Sequence, residues 1–97
     1  MKITVESLGL PTLSKLIGKK TEFEIKGDRV TVTDLVAFLV SNYGQHACKI
    51  LLDSKGNLDV AIQVMINDEG FLARKQYARR GLKEEDTVRF MLLVGGG

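Results

Sequence analysis

The sequence predicts an α+β fold, a mixed sheet of four to five strands packed on one main helix at about residues 33–43. Three observations predict it. Short stretches of apolar/polar alternation recur near the start, in the middle and at the end of the chain, bounded by turn residues, as half-buried strands require. Only one segment carries a sustained helical apolar stripe with a capping residue before it and a glycine after it. Ninety-seven residues, 44% hydrophobic and 27% charged, suit a single domain with one core.

Taken in order, residues 2–7 alternate, with Ile3 and Val5 on one face and Lys2, Thr4 and Glu6 on the other. This is the pattern of a first strand, and it does not resemble the continuous apolar run of a signal peptide. Gly9, Pro11 and Gly18 bracket a segment in which Leu13, Leu16 and Ile17 have helical spacing. That segment is read as a long hairpin connection, a turn or two of helix at most, which tucks apolar residues under the sheet. Residues 21–26 alternate again, with Phe23 and Ile25 inward, and Gly27-Asp28 ends them. The first two strands are therefore expected to form an antiparallel hairpin.

The main helix follows. Thr33 is the expected N-cap, and Asp34 suits the positive end of the helix dipole. Leu35, Phe38 and Leu39 form a core-facing seam, and Gly44 stops the helix after Tyr43. Residues 45–58 are mixed, holding the apolar run Ile50-Leu51-Leu52 and a strong turn signal at 53–57. Residues 60–67 read as a strand with Ile62, Val64 and Ile66 on one face and Ala61, Gln63 and Met65 on the other. After a turn at 67–70, Phe71 and Leu72 are expected to begin a short return strand. Residues 74–83 are basic and loop-like, and 81–86 form a turn into the last strand.

In that last strand Val88, Phe90 and Leu92 are expected to face the helix, with Met91 and Leu93 pointing away. One helix covers one face of such a sheet, so the other face should stay partly open. The expected division is a folded domain over 1–94 and a flexible glycine tail over 95–97.

Composition narrows the function. The formal net charge of +2 gives no strong attraction to nucleic acid or to a membrane. The basic run of Arg74, Lys75, Arg79, Arg80 and Lys83 is followed by Glu84, Glu85 and Asp86, which offset it. It reads as a solvated loop. No apolar run approaches the ~18 residues of a membrane helix. A single cysteine, Cys48, rules out an internal disulfide and suits a reducing cytoplasm. Cys48 with His46 makes too few ligands for a metal site. No nucleophile-plus-base motif and no phosphate-cradling loop is present. The chain is read as having no catalytic residues of its own.

What remains is the end of the sequence, apolar to Val94 and then Gly95-Gly96-Gly97. Strand, strand, helix, strand, short strand, strand and a terminal diglycine together resemble the ubiquitin-like β-grasp superfamily. The chain is most similar to its small sulfur-carrier branch, which includes ThiS and MoaD, the small subunit of molybdopterin synthase. Four stretches carry the resemblance: 13–19, 31–39, 64–67 and 82–88, the last followed by the run to Gly97. Two features depart from it. Leu92 and Leu93 stand where the molybdopterin branch usually has prolines, and residues 46–58 and 71–80 are longer.

The resemblance implies that Gly97 is the reacting residue, Gly96 its required neighbour and Gly95 a spacer. A free α-carboxyl has a pKa of about 3.5, so at neutral pH it is an unreactive carboxylate. In the family, an adenylating enzyme related to ubiquitin activators attaches AMP from ATP, and a sulfur donor of cysteine desulfurase or rhodanese type converts the end to a thiocarboxylate. An acceptor synthase then uses it in cofactor or metabolite biosynthesis. ATP belongs to the partner, and no cofactor is expected to be tightly bound. Met65, Met91, Leu93 and Gly95 are the expected docking residues. A ubiquitin-like protein modifier and a non-catalytic interaction module are the competing readings.

Overall fold

The computed structural model describes residues 1–92. Four strands, β1 (Lys2–Leu8), β2 (Lys20–Glu24), β3 (Ile62–Ile66) and β4 (Thr87–Leu92), form one mixed sheet in the order β2-β1-β4-β3. β1 and β2 make the expected antiparallel hairpin. β4 then inserts beside β1 in parallel, and β3 pairs with its far edge antiparallel. The two central strands are thus the first and last of the chain.

Three α-helices are present among the described residues: α1 (Pro11–Ile17), where a turn or two was expected, the expected main helix α2 (Val32–Tyr43), and α3 (Gln45–Leu51), which was not expected. The 10–17 connection is a true two-turn helix, with proline in its first turn and Leu13 and Ile17 buried. Its Ser14 Oγ lies 2.6 Å from Ser7 Oγ, which ties it to β1. α2 is the predicted main helix, but its cap is Thr31 and not Thr33. Thr31 Oγ1 accepts from the Asp34 amide while the Asp34 carboxylate accepts from the Thr31 amide, a reciprocal capping box. Thr33 is already inside the first turn, its amide donating to the Tyr77 carbonyl. Gly44 ends α2 as expected, yet α3 starts at once beyond it and buries Ala47 and Leu51. Two strand readings also contract. The 60–67 strand pairs only over Ile62–Ile66, and the return strand at Phe71 reduces to a single antiparallel bridge with Met65.

The core lies between the sheet and the helices. Ile3, Val5, Val64, Val88 and Phe90 from the strands meet Leu13, Leu35, Leu39 and Leu51 from the helices, all fully buried. Phe38 is only half-buried and closes the edge, its ring 5.7 Å edge-on to Phe23. At the other end of the molecule, buried Asp86 accepts from the Lys83 amide and from Asn67 Nδ2, and Asn67 Oδ1 accepts from the Thr87 amide. That network fixes where β4 begins.

Candidate functional site

The fold holds β4 on both edges, so its backbone groups are engaged on each side and its direction of exit is set by two neighbours. Gly9, the residue after β1, closes against the strand's end. A Cβ built at Gly9 would sit 3.5 Å from the Leu92 carbonyl oxygen. Leu92 has the inward parity of Val88 and Phe90, but it lies at the rim and is 37% exposed, so it faces the core only in part.

The open face of the sheet is assembled by register. Glu6 stands opposite Arg89 and Leu8 opposite Met91 across the parallel pair. Gln63 stands opposite Met91 and Met65 opposite Arg89 across the antiparallel pair. Phe71 bridges Met65 from beyond the edge. The resulting surface has Leu8 (42% exposed) and Phe71 (53% exposed) at its flanks. Met65 and Met91 lie half-buried between them. Both methionines predicted to dock a partner are therefore on one face, as diagonal neighbours.

Arg89 occupies the centre of this face with fewer partners than its donors need. One Nη donates to Glu6 Oε2 at 3.4 Å and the other to the Met65 sulfur at 3.1 Å. A thioether is a weak acceptor. Arg89 Nε is buried with no hydrogen-bond partner among the described residues. The two Nη groups of Arg89, held only by a long ion pair and a thioether, keep donor capacity for a further carboxylate.

Sequence reasoning missed Leu8, Arg89, Glu6 and Phe71. Period two alone places Arg89 with Met91, two residues apart on one strand. Leu8 joins the surface only through pairing with distant Met91, and Phe71 through a local return to Met65. The predicted residues Leu93, Gly95, Gly96 and Gly97, and the expected boundary between domain and tail, lie outside the described residues. His46 is exposed and Cys48 half-buried on α3, and among the described residues no three metal-ligating side chains converge. No described helix is long and apolar enough to cross a membrane.

The chain matches the family model Urm1 (Ubiquitin related modifier) over residues 2–97. Its structure is similar to that of SAMP1 from Haloferax volcanii, with 19% identity, complete coverage of both chains and a TM-score of 0.75. It is similar to Urm1 from Trypanosoma brucei, with 26% identity over 99% of this chain and 95% of that one and a TM-score of 0.68. It is also similar to the Mycobacterium tuberculosis antigen CysO, with 22% identity over 93% of this chain and 97% of that one and a TM-score of 0.61. By sequence, no curated protein matches the chain. The four-stranded mixed sheet with its packed helices is the ubiquitin-like β-grasp fold.

Proposed function

This chain belongs to the ubiquitin related modifier (Urm1) family, and on that premise we propose that it is a sulfur carrier whose reagent is the carboxylate of Gly97. A ubiquitin-activator-like adenylating enzyme docks on the open sheet face. The Gly97 carboxylate attacks the α-phosphorus of ATP held by that enzyme, pyrophosphate leaves, and an acyl-adenylate forms. The terminal sulfur of a persulfide on a cysteine desulfurase or rhodanese type donor displaces AMP to give an acyl disulfide. A second thiol then reduces its S–S bond, releasing the donor cysteine as a mixed disulfide with that thiol. The product is a C-terminal thiocarboxylate, which an acceptor synthase consumes in biosynthesis of molybdopterin type or of thiazole or amino-acid type. The chain contributes the reacting carbonyl and its delivery, while the partners contribute the catalytic groups. Glycines suit the arm because, lacking Cβ, they pass a narrow channel and adopt backbone angles closed to other residues.

The observation that carries this reading is the placement of β4. It is clasped between β1 and β3 and leads toward the glycines beside a surface of Leu8, Met65, Phe71, Met91 and Arg89. An exposed apolar surface around an under-satisfied arginine is the composition of a protein-docking site, and its position sets where a docked enzyme meets the tail.

A second reading, protein modification, is favoured by the family's own description as a modifier. The same acyl-adenylate would then pass, directly or through a thioester, to a lysine amine. One experiment separates the two. The purified chain is incubated with an adenylating enzyme of this class, ATP and a sulfur donor, and intact and digested products are weighed. Replacement of one oxygen by sulfur at Gly97 supports the carrier. Remnants ending in Gly96-Gly97 on lysines (Phe90 to Gly97 after cleavage at Arg89), with no sulfur gained, would replace it with the modifier reading.

A further inference from the structure

The molecule has a second concave feature, which shares no lining residue with the sheet face. α2 carries two apolar stripes. Leu35 and Leu39 pack at the centre of the core, while Val32, Val36 and Val40, spaced four apart, line a cleft of about 530 Å³ at the core's edge, Val32 and Val36 being themselves buried and Val40 half-buried. A surface helix ordinarily needs only one such stripe. Leu58 and Tyr77 wall the cleft, and Arg74 and Lys75 stand on its rim. Small-molecule sites are mostly apolar hollows of about 300–1,000 Å³ with a few convergent polar groups, and this cleft has that form.

Arg74 is held in place on this rim, and neither rim cation is taken up in a close ion pair among the described residues. Arg74 donates to the Leu58 carbonyl at 2.9 Å and stacks 5.8 Å over the Tyr77 ring. Both contacts orient the guanidinium without neutralising it. Asp53 is close enough to Arg74 to feel its charge. Its Oδ1, however, accepts from the Lys55 and Asn57 amides within its own turn, and it does not line the cleft. Of the basic run noted in the sequence, Arg80 pairs with Glu69, whereas Arg74 and Lys75 line the cleft.

We propose that this cleft binds a small amphipathic anion, an apolar body resting on the valine lining with its carboxylate against Arg74 and Lys75. An apolar lining selects the body by area removed from water. A preset guanidinium selects the acid group at little ordering cost. The site is separate from the carrier chemistry, and its test does not depend on the tail.

The test is a ¹⁵N-amide NMR titration of the full chain with octanoate, set against octanol as its uncharged counterpart. Octanoate gives saturable shifts centred on Val36, Ala37, Leu58, Tyr77 and Ala78, and octanol binds more weakly. Lys75→Ala weakens octanoate about two- to fivefold, the range of one partly exposed charge pair. Ala37→Asp, at an exposed helical position lining the cleft, abolishes binding while amide shifts elsewhere report an intact fold. Unsaturable or scattered shifts, or equal binding of octanol, would overturn the proposal. Shifts at these amides from an acidic apolar peptide but not from octanoate would overturn it too, assigning the cleft to a protein partner.

Discussion

If Arg89 is held for a partner and not for the fold, removing its charge should separate stability from function. The informative variant is the double substitution Glu6→Gln with Arg89→Met, which leaves no carboxylate without its cation. The two side chains are 21% and 22% exposed and their contact is long, at 3.4 Å. A pair of this kind contributes about 0–1 kcal/mol once solvent screening is allowed for. Against that, the buried Nε without a partner costs about 1–3 kcal/mol, a cost the variant relieves. Methionine fills similar volume beside Met65 and keeps the apolar character of the face. The net expectation is unchanged stability or a gain of up to about 3 kcal/mol, read from urea denaturation at constant m-value. The adenylating partner's kcat/KM for the same variant should fall about tenfold or more, equivalent to 1.4 kcal/mol of lost transition-state binding. Destabilisation beyond about 2 kcal/mol would show that Arg89 is a structural member. Full activity would show that it is not a docking residue.

Three further outcomes follow from the packing. Phe90→Ala empties the largest fully buried side chain, at the centre of β4. It should cost about 3–5 kcal/mol in chemical denaturation, a large share of the stability of a small domain. Gly44 sits at φ 68° and ψ −146°, and a Cβ there would meet nothing within 4 Å. Gly44→Ala should therefore cost about 1–3 kcal/mol through backbone strain alone, lowering Tm without altering neighbouring side-chain signals. Burial raises the Tyr77 phenol above its ordinary value of 10.0, with Arg74 pulling the other way. A raised folded value means that the unfolded chain ionises first. Stability is thus complete below the unfolded value and declines as pH climbs from about 10 through the folded one. Tyr77→Phe should remove that part of the alkaline decline, as measured by denaturation across the pH range.

Strong local periodicity made most of the fold legible. β1, β3 and β4 keep the predicted alternation over their paired residues, because each has one covered face, though β3 is shorter than predicted and Leu92 at the rim is exposed. α2 was legible from Leu35, Leu39 and Gly44. α3 was not, since its seven residues bury only Ala47 and Leu51 and begin directly after a helix-stopping glycine. Such a segment is helical because the core accepts those two side chains, a tertiary cause. The misplaced cap did have a local signal: Asp34 stands three residues after Thr31 and closes a capping box, whereas Val36 stands three after Thr33 and cannot. Tertiary contacts agree, since Thr31 bridges Gly81 and the Thr33 amide reaches Tyr77. At the site, Met65 and Met91 were legible from strand parity. Phe71 follows from the local turn that returns it to Met65, whereas Leu8 and the unmet donors of Arg89 depend on register between segments as far apart as residues 6 and 89, which no local pattern encodes.

The central claim is that Gly97, delivered by β4, is the residue activated with ATP. Isotopic pyrophosphate exchange tests it most directly, using the purified chain and an adenylating enzyme of the ubiquitin-activator class. Exchange that depends on the chain, is lost when Gly97 is deleted and is strongly reduced by Met91→Glu in a folded protein is the predicted result. Exchange that persists undiminished without Gly97 would contradict the account.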